Sequence, residues 1–172
     1  LFKSIRKELT VQGEISVGNI SIQDLDERSL SKLVAVSLSG RRHIPGMTVR
    51  EILELSRMPF LNWSARLNES DHRLVVGISE KFGLIDLLDR NVDSLSDGEY
   101  QRAMTARCFV QNTPIVLMDE PSAFLDIKQK RNLFSMLKDE SANGRCILIA
   151  THDLHEAIEF CDRIVILDGG KL

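Results

Sequence analysis

The sequence predicts an α/β fold: a parallel sheet flanked by helices, with a run of helices inserted between its strands. Three observations carry this. Residues 115–118 and 147–150 are short apolar runs of strand length, separated by a helix-length segment. A third strand-like run, 163–167, follows another short helix, so the last third alternates strand, helix, strand, helix, strand. The middle third holds three helix-period segments and no convincing strand.

Taken in order, Leu1, Phe2, Ile5 and Leu9 recur at helical spacing, so the chain opens in a helix. Ile15 and Val17, then Ile20 and Ile22, alternate around Gly18-Asn19, which reads as a hairpin. Residues 33–38 form a buried strand, and 39–46, with two glycines and one proline, a loop. Thr48 caps a helix with Val49, Ile52 and Leu53 on one face. A second helix spans 70–82, ended by Gly83, and a third runs from near Ser96 to about Gln111. Then come a strand at 115–119, a helix at 126–142 closed by Asn143-Gly144, and a strand at 145–150. A short helix at 153–160 and a strand at 163–167, ended by Gly169-Gly170, complete the reading.

The chain has 172 residues, enough for one domain with a real core. Apolar residues make up 43% and charged residues 27%, the proportions of an ordinary globular protein. Twenty-two basic against 25 acidic residues leave a net charge of -3, which argues against nucleic acid as a partner. Cys108, Cys146 and Cys161 lack metal-ligand spacing and read as small buried apolar residues, reduced as in a cytosolic protein. No apolar run approaches the ~18–20 residues that a membrane span requires. The opening LFKSIRKEL has no signal-peptide hydrophobic region and no starting Met, and the chain reads as a piece of a longer one.

Three stretches carry chemistry. Ile115-Val116-Leu117-Met118 is followed by Asp119 and Glu120. Two acids after a strand are ordinarily a solvated loop. At the carboxyl end of a parallel strand, however, they stand where such sheets bind ligands, and they can hold Mg²⁺ or polarise a water. Thr151-His152-Asp153 follows the next strand, so His152 should project from the same sheet edge. A lone histidine there is more often a cap or a surface residue, but it can also donate to a phosphate oxygen. Leu95-Ser96-Asp97-Gly98-Glu99-Tyr100-Gln101-Arg102 contains a capping box, Ser96 with Glu99. That box starts a helix, and the start of a helix also suits phosphate.

In this order the three motifs resemble those of the ATP-binding-cassette (ABC) ATPases. LSDGEYQR is similar to the signature motif L-S-G-G-[QE] with its Q-R, and IVLMDEP to the Walker B strand with its catalytic glutamate. Ser122-Ala123-Phe124-Leu125-Asp126 resembles the D-loop, and ATHD the switch-histidine loop. The resemblance covers nearly the whole chain and implies a RecA-like P-loop NTPase core, incomplete at its N-terminus. Residues 1–47 would be core following the Walker A loop, 48–111 a helical subdomain carrying the signature, and 112–172 core with Walker B, D-loop and switch histidine. The nearest group is the ATPases of iron-siderophore, haem and cobalamin importers. Ser56-Arg57-Met58-Pro59-Phe60 is similar to that group's G-R-x-P-[HY], and NESDHRLV and GLIDLLDRNVDSLSDGE also fit.

The resemblance implies ATP and Mg²⁺ as ligands and two cassettes paired head to tail. Ser96, Gly98 and Glu99 would face the partner subunit's ATP. Asp119 would hold Mg²⁺, mainly through water; Glu120 would polarise the attacking water; His152 would steady the γ-phosphate; Asp126 would link the two sites. Permease subunits would place the protein on the inner face of the cell membrane, docking on the 48–82 region around Met58, Pro59, Phe60 and Trp63, residues that read equally as the subdomain's own small core. A cassette serving translation or DNA repair would carry the same motifs, though usually with basic arms that this mildly acidic chain lacks; against a non-catalytic cassette stand Glu120 and His152, and mildly for it Leu38. Three departures stand out. No G-x-x-x-x-G-K-[ST] occurs, and the only Gly-Lys pair is Gly170-Lys171, so the chain alone is expected to be inactive. Leu38 stands where a glutamine is usual, and Gln111 is too distant in sequence to replace it. Asp97 replaces the first signature glycine and is expected to point sideways to solvent.

Overall fold

In the computed structural model, which describes residues 2–63 and 66–169, three parallel strands form the centre. They are β3 (Val34–Ser37), β4 (Ile115–Asp119) and β5 (Cys146–Ala150), in the order β3-β4-β5. Their register is continuous: Ala35 lies opposite Val116, which lies opposite Ile147. Strand β4 is central and buried on both faces, which is why its sequence is an unbroken apolar run. Val116 and Met118 enter one core with the helices of the middle third, while Leu117 enters a second with Phe2, Ile22, Leu30 and Val34. A small antiparallel hairpin, β1 (Ser16–Val17) with β2 (Ile20–Ser21), turns at Gly18, whose φ of +60° suits glycine.

The helices of the middle third are α3 (Val49–Leu55), α4 (Glu69–Lys81) and α5 (Asp97–Gln111). Each opens on a complete capping box: Thr48 with Glu51, Asn68 with Asp71, and Ser96 with Glu99. Each box satisfies two otherwise free N–H groups, so local chemistry sets where these helices begin. Helix α5 lies over the sheet with nine buried residues, among them the fully enclosed Phe109, whose ring stands 5.4 Å from that of Phe82. Asn112, in the left-handed region at φ 58°, ends it. The remaining helices are α1 (Phe2–Ile5), α2 (Glu27–Leu33), α6 (Ile127–Ala142) and α7 (Leu154–Phe160).

Several expectations need correction. Residues 163–167 are not a strand: Ile164, Val165, Ile166 and Leu167 are 46–75% exposed. A strand requires a hydrogen-bonded neighbour, and among the described residues none runs alongside them. The first strand is shorter than 33–38, because Leu33 closes α2, which the sequence reading missed. The opening helix ends at Ile5, since Lys7 takes a left-handed backbone (φ 59°) and Leu9 is exposed. Of the cysteines only Cys108 is buried; Cys146 is exposed and Cys161 half-buried. Leu1, Gly170, Lys171 and Leu172 lie outside the described residues, and with them the Gly170-Lys171 pair. No helix among the described residues is long and apolar enough to cross a membrane.

Candidate active site at the carboxyl edge of the sheet

Strands β4 and β5 run parallel in register, with Asp119 opposite Ala150, so the residues that follow them emerge side by side. The Glu120 N–H extends the ladder by donating to the Ala150 carbonyl at 2.8 Å. The backbone of Glu120 then turns into the left-handed region (φ 50°), a conformation costing a non-glycine residue about 1 kcal/mol or more. That turn sends its side chain across to the next strand's loop. Glu120 Oε1 lies 2.9 Å from His152 Nδ1. This hydrogen bond, and then the carboxylate's charge, raise the imidazole pKa above its ordinary value. Glu120 Oε2 is buried without a partner. A buried carboxylate oxygen so left is unfavourable on its own and is free to accept from a water or another donor.

Asp119 faces the other neighbour. Its Oδ2 accepts from Ser39 Oγ at 2.5 Å and from Ser39 N at 3.4 Å, across from the end of β3. Carboxylate and hydroxyl oxygens are the donors that Mg²⁺ takes, and it keeps most of its own water. Among the described residues no three acidic, histidine or cysteine side chains converge into a protein-only metal cage. Asp119 with Ser39 therefore fits a largely hydrated Mg²⁺ and not a dehydrated structural ion.

His152 is held from behind. Asp153 accepts from Ser122 Oγ at 2.5 Å and from Lys130 Nζ at 3.0 and 3.1 Å. The Ser122 hydroxyl, followed by Lys130, outweighs burial and keeps the Asp153 pKa below the usual carboxylate range. Ser122 is fully buried, so this network joins the turn after β4 to the loop after β5.

Ser96, Gly98 and Glu99 sit at the start of α5. Glu99 Oε2 accepts from Ser96 N and Ser96 Oγ, both at 2.8 Å. The Ser96 N–H, then its hydroxyl, lower the Glu99 pKa. Gly98 lies against the turn after β4, where a Cβ would touch the Phe124 carbonyl at 3.4 Å, in ordinary contact. These residues do not hydrogen-bond to Asp119, Glu120 or His152; the link runs through Gln101 Nε2, which donates to Glu120 O at 3.4 Å. Asp126 caps α6, accepting from Gln129 N at 2.8 Å. Asp97 is not simply turned to solvent: it is 57% exposed but pairs with Arg41 at 2.8 Å. Gln111 donates to the carbonyls of Ser31 and Val34, at the end of α2 and the start of β3. A cleft of about 800 Å³ is lined by Leu38, His43, Leu55, Met58, Pro59 and Tyr100.

Sequence reasoning missed Ser39, Lys130 and Arg41, and gave Gln101 only as part of the signature stretch, with no contact to the turn after β4. Ser39 was within reach: it follows β3 by two residues, as Glu120 follows Met118, and Ser37 pairs with Met118. Lys130 offered no signal, since it lies 23 residues from Asp153 on a polar helix face.

The ABC transporter family matches residues 1–123 of the 172. The petrobactin import ATP-binding protein FpuC of Bacillus anthracis is 32% identical over 162 residues, 94% of this chain and 60% of that protein. The manganese transport ATP-binding protein MntA of a Synechocystis strain is 31% identical, covering 98% of this chain and 65% of its own length. Among solved structures, an ATP-binding subunit of an ABC transporter superposes with a TM-score of 0.85 at 26% identity, over 99% of this chain and 70% of that one. A dimeric bacterial ABC transporter cassette gives 0.82 at 28%, over 94% and 71%. The chain thus spans about 60% of the length of the curated relatives it matches. Its fold is the ABC ATPase fold, and the chain belongs to the ABC transporter family.

Proposed function

We propose that the chain is the ATP-hydrolysing cassette of an importer, and that Glu120 is the residue that orients and deprotonates the attacking water. The observation that carries this reading is the Glu120–His152 pair at the edge of two adjacent parallel strands, with Glu120 Oε2 buried and unpartnered. One oxygen is held by the imidazole, and the other is left for a water. His152 donates toward the phosphate that water attacks, and Asp153, fixed by Ser122 and Lys130, keeps the loop in place. Asp119 and Ser39 hold a hydrated Mg²⁺, which neutralises phosphate charge when bound. Ser96 and Gly98 face the ATP of a second cassette, and Asp126 stands at the contact between the two.

The cargo in this reading is an iron chelate, haem or cobalamin. Its support is the Arg57-Met58-Pro59-Phe60 stretch and relatives named for petrobactin and iron(3+)-hydroxamate import. The cleft beside Leu38, Met58 and Pro59 receives the permease, which places the cassette on the inner membrane face.

The test is Glu120→Gln in the protein at its natural length. Turnover should fall by about 10²–10⁴, the range for losing a positioned base, while ATP binding persists. Hydrolysis near the wild-type rate would remove Glu120 from the reaction.

A further inference from the structure

One departure from the family pattern, Asp97 in the signature, is met by Arg41 from the loop that follows the other, Leu38. The loop after β3 carries Ser39-Gly40-Arg41-Arg42-His43-Ile44, and its arginine at 41 reaches the turn before α5. Arg41 Nη1 bonds Asp97 Oδ1 at 2.8 Å. Its Nη2 donates to the carbonyls of Asp93 at 2.9 Å and Leu95 at 2.8 Å. The guanidinium also lies 5.2 Å from the Tyr100 ring centroid. A planar fork suits this set of acceptors, which a point charge could not satisfy at once. The neighbouring residues add to the tie: Arg42 N donates to Tyr100 Oη at 3.1 Å, and Ile44 N to Asp93 Oδ1 at 3.0 Å. His43 Nδ1 lies 2.9 Å from Asp93 Oδ2. At its other end the same loop holds Asp119 through Ser39.

We propose that Arg41 is a positioning residue for the turn Ser96–Gly98: it fixes that turn through Asp93, Leu95 and Asp97, and passes the position of the 39–44 loop to it. The proposal rests on the reading of Ser96 and Gly98 as phosphate contacts. It also explains the tolerance of an acid at position 97. A bare carboxylate there would repel an incoming phosphate, and Arg41 neutralises it while using it as an anchor. The carbonyls of Asp93 and Leu95 belong to the short 3₁₀ turn that leads into Ser96. Loss of the guanidinium leaves the Leu95 carbonyl and the Asp97 carboxylate without it, while Asp93 keeps its bonds from Ile44 N and His43.

The experiment is a set of variants in the protein at its natural length, read as ATP turnover and as the ATP concentration for half-maximal rate. Arg41→Ala should lower kcat about tenfold with KM within about twofold, the mark of a misplaced group rather than lost binding. Arg41→Lys should recover part of the loss. Asp97→Asn should cost less in the Arg41→Ala background than in the wild type, since both remove one interaction. If Arg41→Ala does not fold, Arg41→Lys and Asp97→Asn carry the same comparison. Unchanged kcat, or additive losses that track thermal stability, would overturn the proposal. Ser96→Arg separates the two levels. If it abolishes turnover while Arg41→Ala does not lower kcat, Arg41 alone is misassigned. If Ser96→Arg leaves turnover intact, the phosphate-facing reading fails and the Arg41 proposal fails with it.

Discussion

The helical stretch 49–111 and the segment 146–169 are both rich in apolar residues, yet only the first buries them. In 49–111, Val49, Leu53, Leu84, Val92, Phe109 and Val110 have no exposed surface. In 146–169 only Ala157 is buried, while Leu154, Ile158, Val165, Ile166 and Leu167 are more than 60% exposed. The difference is not composition. Helices α3, α4 and α5 pack on each other, and α5 on β3 and β4, whereas β5 has a neighbour on one edge only among the described residues. One of its faces is uncovered as well: Ile147 and Ile149 turn to the core, and Cys146, Leu148 and Ala150 face outward. An apolar residue stabilises a fold only where another surface removes it from water.

The largest expected contrast is in truncation. Phe109→Ala removes an enclosed ring that packs on Phe82 and should cost about 3–5 kcal/mol. Ile166→Ala, at a site 75% exposed, should cost less than about 0.5 kcal/mol. Urea unfolding of each variant checks both. Equal losses would mean that 163–167 is buried in solution and that the contrast is false.

Ion pairs should divide the same way, with a somewhat smaller spread. Arg57 and Asp71 are 12% and 5% exposed, 2.9 Å apart. Arg57 Nη1 also donates to the Val110 and Gln111 carbonyls at the end of α5. Arg57→Met leaves the Asp71 carboxylate buried and unpaired, at about 3 kcal/mol or more. Arg131 with Glu159, which ties α6 to α7, is 46% and 39% exposed. Arg131→Met should cost about 1 kcal/mol or less, and less again in high salt. Denaturation midpoints at low and high salt decide it; a salt-sensitive Arg57 loss would contradict its burial.

What could be read from sequence follows the same division. Thr48, Ser96 and Asp126 mark helix starts because a cap acts within three residues, and the buried run 115–118 is a strand on its own evidence. Helix α2 escaped because it buries only Leu30, so no apolar period marks it. Residues 163–167 misled because strand pattern is local and strand pairing is not. The meeting of Glu120 and His152 was legible, since consecutive parallel strands put their carboxyl ends together. The Arg41–Asp97 contact was not, because it spans 56 residues and joins two loops.

The smallest effect lies in the open region itself, where chemistry is carried without burial. His152 is 79% exposed, and its one strong neighbour is the Glu120 carboxylate. The hydrogen bond to Glu120, then the carboxylate's charge, raise the imidazole pKa above its ordinary 6.5, with Asp153 adding a little and Lys130 opposing. A raised folded-state pKa means the charged form is favoured by folding. The pair's contribution is complete below about pH 6.5 and disappears as pH rises through the raised value. Because the site is open to solvent, the stability change across that window should be slight and screened by salt. The titration itself is measurable. The His152 ring proton, assigned by its absence in His152→Gln, should show a midpoint above the ordinary value, and Glu120→Gln should bring it down. Added salt should move the wild-type midpoint in the same direction. A midpoint that ignores Glu120→Gln would mean that the two side chains do not meet in solution. The segment 146–169 would then be tied to the turn after β4 through Asp153 and the Ala150 carbonyl, without His152.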